Sequence, residues 1–194
     1  MKISALISRL FLLLAIINTL GGCAAAVVAG GATGAAVVFD RRTSGSIIED
    51  QAIETKAWQA FNSDKDINEK AHLNVVSYNT IVLVTGEAPD EEIRQRIINI
   101  VQNLDKVSHV YNEITIAAPS SLVSRSSDSL ITSKVKTKLL ALENFNGTSV
   151  KVVTEKGVVY LMGLLSHEEA DRATDAVRTI GGVQKVVKLF QYTE

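Results

Sequence analysis

The stretch Ile81-Val82-Leu83-Val84-Thr85-Gly86 returns 77 residues later as Val158-Val159-Tyr160-Leu161-Met162-Gly163. Each is a short apolar, β-branched run with a glycine at its end, which reads as a buried strand. The flanks repeat as well. Upstream, Leu73-Asn74-Val75-Val76 matches Val150-Lys151-Val152-Val153 at the same offset, and Asp50, Ile53 and Lys56 match Asp128, Ile131 and Lys134 at an offset of 78. Downstream, Glu91-Glu92 matches Glu168-Glu169, and Val107 to Val110 matches Val183 to Val186 at an offset of 76. So small a drift over a whole copy makes the copies collinear, the mark of an internal duplication.

Each copy reads in the order helix, strand, strand, helix, strand. The first helix carries apolar residues three and four apart: Ile53, Ala57 and Phe61 in one copy, Ile131, Val135, Leu139 and Leu142 in the other. Asp128 is placed to cap its helix. Turn residues Tyr78-Asn79-Thr80 and Glu155-Lys156-Gly157 join the first two strands. Gly86 and Gly163 are expected to end the second strand at equivalent positions, where a side chain would clash or φ is positive. The second helix runs from about Pro89 to Leu104 and from Ser166 to Ile180, with Pro89 suited to a helix start and Ser166 to a cap. The last strands are His109 to Ile114 and Val186 to Phe190. The expected fold is α+β: two tandem domains, each with two helices packed on one face of a small three-stranded sheet. The domains span residues 47–116 and 128–192. Residues 117–127, with Pro119 and five serines, read as the linker.

The amino-terminal part has another character. Lys2 and Arg9 precede the apolar run Leu10 to Ile17, and Leu20-Gly21-Gly22 leads to Cys23, the only cysteine of the chain. A short basic start, an apolar run of this length and small residues at its end make residues 1–22 a secretory signal rather than a membrane span. A lone exported cysteine has no disulfide partner. Residues 23–46 begin small, apolar and glycine-rich and read as a tether. Gly30 and Gly34 form a GxxxG, which leaves helix packing open as the alternative. Asp40 to Ser46 is polar and closes the tether.

The residues Leu20 to Cys23 resemble the lipobox of bacterial lipoproteins. That resemblance implies a diacylglycerol attached to the Cys23 sulfur, cleavage after Gly22, and an acyl chain such as palmitate on the new amino terminus. No other cofactor is expected. Ala24 stands where many lipoproteins kept at the inner membrane carry Asp, so the resemblance points to the outer membrane. The repeat resembles the BON domain, named for bacterial osmotically induced and nodulation proteins. The stretches most like the lipoproteins that carry two such domains are Val110-Tyr111-Asn112-Glu113-Ile114 and Tyr160-Leu161-Met162-Gly163-Leu164. A lipobox followed by two such copies is similar to the dual BON-domain outer-membrane lipoproteins.

Composition narrows the function. Without residues 1–22 the chain has 18 basic and 21 acidic residues, net −3, which is no nucleic-acid-binding profile. No catalytic motif is present, so a non-enzymatic protein is expected. His72, His109 and His167 are scattered, and His167-Glu168-Glu169 lacks the second histidine of a helix-borne zinc site, so no metal is expected.

The two copies differ in charge: residues 46–117 carry six basic and twelve acidic residues, residues 124–194 ten and eight. The second copy thus suits an anionic partner. On its first helix Ile131, Val135, Leu139 and Leu142 fall within about 80° of arc, the core stripe. Leu130 and Leu140 fall outside it, with Lys134 and Lys136 beside them and Ser133 and Thr137 between. Apolar tips ringed by lysine suit an interfacial helix. Packing of Leu130 and Leu140 against the other domain, or simple exposure, explains them equally well. The first copy has Ala52 and Asn62 there, with Trp58 in place of Lys136, and so is expected to lack the apolar tips.

The resemblance decides between these readings. It implies that the second copy binds an anionic phospholipid membrane through Leu130, Ser133, Lys134, Lys136, Thr137 and Leu140. It further implies a lipid-anchored protein on the periplasmic face of the outer membrane that supports envelope integrity and is recruited to the division site. The alternative is an interaction protein whose copies bind an outer-membrane assembly factor or a peptidoglycan-linked partner.

Overall fold

A computed structural model describes residues 41–193, which belong to one compact unit, Val38–Glu194. Cys23 and most of the expected tether lie outside the described residues. The elements are α1 (Ser44–Ser63), α2 (Lys65–Lys70), β1 (His72–Tyr78), β2 (Ile81–Ala88), α3 (Glu91–Gln102) and β3 (His109–Ile116), then α4 (Leu122–Leu140), a 3-10 turn (Gly147–Ser149), β4 (Val150–Glu155), β5 (Val158–Leu165), α5 (His167–Arg178) and β6 (Lys185–Tyr192). Each copy builds a three-stranded sheet with its second strand in the centre, antiparallel to the first and parallel to the third. The parallel pairing requires a crossover, which α3 and α5 supply.

Both hairpins close through two-residue turns with positive φ: Asn79 at 49° and Thr80 at 68°, Lys156 at 49° and Gly157 at 76°. This is the turn whose twist matches that of the flanking strands. A non-glycine residue in that region costs about 1–2 kcal/mol. A buried aspartate offsets the cost in each copy. Asp50, in α1, accepts hydrogen bonds from the amides of Asn79 (2.7 Å) and Thr80 (2.9 Å). Asp128, in α4, accepts from the amides of Lys156 (2.9 Å) and Gly157 (2.8 Å). Asp128 is therefore not the helix cap. Ser121 caps α4, its Oγ accepting from the Ser124 amide, and the helix begins at Leu122 inside the expected linker. The serines do not stop it because their hydroxyls return to the helix, Ser126 donating to the Val123 carbonyl and Ser129 to that of Arg125. The first helix likewise starts early, at Ser44, capped by Thr43.

The helix α3 begins at Glu91, two residues after Pro89, with Asp90 as its cap, and Ser166 and Glu169 form a reciprocal capping box on α5. The short α2 was not foreseen. Asp64 caps it and Ile67 buries beneath it.

Gly86 pairs with Leu73 and Ile114, and Gly163 with Val150 and Phe190, so the two are equivalent. Neither ends its strand; each is followed by two more paired residues. Gly86 has φ +121°, and a Cβ there would sit 2.0 Å from the His72 carbonyl oxygen. Gly163 has no positive φ, but its Cβ would come within 2.9 Å of the Ser149 carbonyl oxygen.

Two helices cover one face of each sheet. Ile53, Phe61, Val84 and Ile97 belong to the first such core, and Ile131, Leu139, Leu161 and Val177 to the second. The opposite faces pack on each other: Val76, Tyr78 and Leu83 of the first domain meet Val153, Tyr160, Met162 and Leu189 of the second. The layers are helix, sheet, sheet, helix, which explains strands that are apolar on both faces. A fully buried side chain of this size contributes about 1.5–3 kcal/mol. The shared cluster therefore outweighs the polar contacts at its edge, each worth about 1 kcal/mol. Those contacts repeat with the duplication. Asn79 donates through Nδ2 to Gln191, and the equivalent Lys156 reaches Thr115, the counterpart of Gln191. Lys156 Nζ also pairs with the fully buried Glu87 at 2.8 Å.

Candidate functional site

The helix α4 is 19 residues long, or about 29 Å. Asp128, Ile131, Val135 and Leu139 are its buried side. Leu130 and Leu140 are 64% and 60% exposed, so they do not pack on the first domain. Ser133, Lys134, Lys136 and Thr137 are exposed beside them. The hydroxyls of Ser133 and Thr137 donate to carbonyls one turn back, which reduces their demand for water.

The earlier start of α4 adds Leu122 and Val123, each 78% exposed. At 100° per residue, Leu122, Val123, Leu130, Ser133, Thr137 and Leu140 share an arc of about 100° opposite the buried side. Lys134 and Lys136 border the arc on either flank. Leu122 lies 18 residues before Leu140, about five turns, and Val123 lies 7 before Leu130, about two turns. That spacing was the signal in the sequence, and the serine-rich context hid it. Among the described residues, Lys134, Lys136 and Lys138 enter no ion pair. The three cations sit in the second half of the helix, where the dipole favours them.

On α1, Ala52 and Asn62 are exposed as the repeat predicts. That helix is not without apolar tips, however. Ile48 is 70% exposed and Trp58 40%, the indole standing edge-on to Phe61 at 6.1 Å. What α1 lacks is the cationic border: its Lys56 is engaged by Asp105 at 3.2 Å, and Glu49 and Glu54 flank it. The difference between the copies is charge more than apolarity.

Two arginines fasten the chain just before α1. Arg41 forms a bidentate pair with Glu169 of the second domain (2.6 and 2.7 Å) and reaches the Leu164 carbonyl at 3.2 Å. The hydrogen bonds from Arg41 hold the Glu169 carboxyl down at about 2, against the effect of burial and with help from the Ser166 amide. Arg42 pairs with Asp50 at 2.8 Å and lies over the Tyr78 ring at 4.1 Å. The end of the expected tether is thus fixed at the junction of the two domains.

The histidines do not converge. His109 packs against Tyr111 and His167 stacks on Tyr192, while burial lowers the affinity of His72 for its proton. Among the described residues no cluster of His, Cys, Asp and Glu has metal-holding geometry, and no helix is long and apolar enough to cross a membrane.

Residues 49–118 and 127–194 each match the BON domain family. The chain is 36% identical over 188 residues to the outer membrane lipoprotein DolP of Haemophilus influenzae, covering 97% of both chains. It is also 36% identical over 155 residues to a 21 kDa hemolysin of Actinobacillus pleuropneumoniae, covering 80% of both. The osmotically-inducible protein Y of Escherichia coli is 27% identical over 145 residues, which cover 73% of this chain and 72% of that one.

Proposed function

The chain belongs to the BON family, and on that premise we propose an outer-membrane lipoprotein, anchored through Cys23 and facing the periplasm, whose α4 rests on an anionic phospholipid bilayer. The observation that carries this reading is the outward side of α4. Leu122, Val123, Leu130 and Leu140 are four of the nine large apolar residues exposed among the described ones. Lysines border them. Each lysine near an anionic surface contributes about 1 kcal/mol, and insertion of the leucines adds to it.

That is modest affinity for a free protein. The acyl chains on Cys23 make the contact intramolecular in effect, so modest affinity suffices. Binding of anionic lipid then concentrates the protein where such lipid is enriched. Resemblance to the dual BON-domain lipoproteins extends the proposal to envelope integrity and recruitment to the division site.

The unit 38–194 has no cysteine, so Leu130→Cys and Ile48→Cys each accept a single environment-sensitive dye. Vesicles containing phosphatidylglycerol should shift the emission of the dye at position 130 to the blue and leave the dye at position 48 unchanged. Equal responses would remove the assignment to α4.

One observation favours a second reading, the binding of an outer-membrane assembly or peptidoglycan-linked partner. The edge strands β1 and β4 border one groove of about 490 Å³, lined by His72, Asn74, Val76, Lys151, Val153 and Glu155 among others. Free strand edges accept an extended segment. Cross-linking from Asn74 in cells would capture such a partner.

A further inference from the structure

We propose that a recess between the two domains, at the carboxyl end of α4, is a cradle for the headgroup of one anionic phospholipid. This deepens the reading of α4 as a bilayer-contacting helix and rests on it. The recess measures about 240 Å³. Lys136 and Leu140 of α4 form one wall, Thr148 and Lys151 a second, and Arg42 and Tyr78 of the first domain the third. Gly147 makes the recess possible. A Cβ there would lie 2.6 Å from the Leu139 carbonyl, so only glycine lets the 3-10 turn close directly on the last turn of α4.

Charge selects the ligand. Arg42 is held by Asp50 and shapes the wall rather than serving as the anion's partner. Lys136 enters no ion pair among the described residues, and the nearest carboxylate of Lys151 is Glu54 at 4.0 Å, the far limit of a salt bridge. Two ammonium groups of this kind suit a phosphate diester, while the Thr148 hydroxyl donates to Asn146 Oδ1 at 2.6 Å and only shapes the wall. Leu140 and the Tyr78 ring suit the carbon of its glycerol.

Size selects further. Pockets that bury a drug-sized ligand run to about 300–1,000 Å³, so this one takes a headgroup and leaves the acyl chains outside. Position completes the argument. Lys136 and Leu140 belong both to the recess and to the outward side of α4, so a lipid in the bilayer beneath α4 reaches the recess without leaving the membrane. The duplication does not produce this pair of cations, because the counterparts of Lys136 and Lys151 are Trp58 and Asn74.

The test uses the compact unit 38–194 with dihexanoyl phosphatidylglycerol in monomeric solution, read by amide chemical shifts. The Gly147, Thr148 and Lys151 amides should shift with this lipid and not with dihexanoyl phosphatidylcholine. Lys151→Gln should weaken the response at least fivefold while circular dichroism stays unchanged. Leu130→Glu should leave the response intact and reduce flotation with anionic vesicles. Equal shifts with the zwitterionic lipid, equal shifts with glycerol 3-phosphate, shifts confined to the outward residues of α4, or a folded Lys151→Gln that binds like the parent would each overturn the cradle. The two failures are distinct: a bilayer-inert α4 shows as unchanged flotation by Leu130→Glu, an absent cradle as unmoved Gly147 and Thr148 amides.

Discussion

The Gly157 amide donates to Asp128 Oδ1 across 2.8 Å, tying the hairpin of the second sheet to the helix that precedes it. Asp50 makes the same tie to Asn79 and Thr80 in the first copy. These acids hold turns whose residues sit at positive φ, so each fixes the register of a hairpin and the seat of a helix together.

Asp128→Ala should destabilise the protein by about 2–4 kcal/mol, because it leaves two backbone donors without their acceptor. Helix content should survive, since Ser121 caps α4. Urea denaturation followed by far-ultraviolet circular dichroism measures both. A cost no larger than the roughly 1 kcal/mol of a lost cap would return Asp128 to a capping role.

The glycines of the central strands should differ in tolerance. Gly86→Ala puts a Cβ 2.0 Å from a carbonyl oxygen at φ +121° and should cost about 3 kcal/mol or more. Gly163→Ala meets a contact of 2.9 Å without positive φ and should cost about 1–2 kcal/mol, the range for overpacking that the backbone relaxes. Thermal melts rank them. A Gly163 variant as damaged as the Gly86 variant would contradict this geometry.

The duplication, the helix stripes and the two hairpin turns were legible in the sequence, because burial imposes a period and a tight turn imposes a residue type. The shared cluster of the two sheets was not. Leu83 and Tyr160 stand in runs apolar on both faces, and such a run does not say what covers the second face. Asp128 was misread because an acid near a helix start has two uses, to cap the helix or to clasp a distant turn, and only contact across 28 residues tells them apart. Of the candidate site, Leu130, Leu140 and the lysines could be placed by helical angle. Leu122 and Val123 could not, because serines mark linkers in general and here turn their hydroxyls back onto the helix. Arg41 and Arg42 looked like linker charges, and their partners are distant in sequence.

The Arg41–Glu169 pair should make stability depend on acid. The Glu169 carboxyl is depressed from its usual 4.5 to about 2. Its contribution is therefore complete above about 4.5 and is lost as pH falls through 2. Arg41 is 36% exposed, so screening limits the pair to about 1 kcal/mol or less. Arg41→Ala should lower stability at pH 7 and cost only a small fraction of that at pH 2, as urea melts at the two values would report. An equal loss at both would assign Arg41 a packing role instead.

Cys23→Ala should block acylation and leave either an uncleaved precursor or a product without its anchor, because one weak helix contact cannot replace several acyl chains. Mass spectrometry of the mature amino terminus reads this directly. A parent protein with an unmodified Cys23, or one cleaved elsewhere, would end the lipoprotein assignment.

The central claim is that the outward side of α4 meets anionic lipid, and flotation of residues 38–194 with vesicles of phosphatidylcholine, with and without phosphatidylglycerol, tests it most directly. The parent should float only with the anionic vesicles. Lys134→Glu with Lys136→Glu should cut this several-fold, and salt should weaken the parent's binding as it screens the lysines. Leu122→Glu and Leu130→Glu should reduce flotation even at low salt, because they remove insertion rather than attraction. None of these changes touches the buried side of α4, and circular dichroism should confirm intact folding. Folded variants that float with anionic vesicles as well as the parent does would contradict the account.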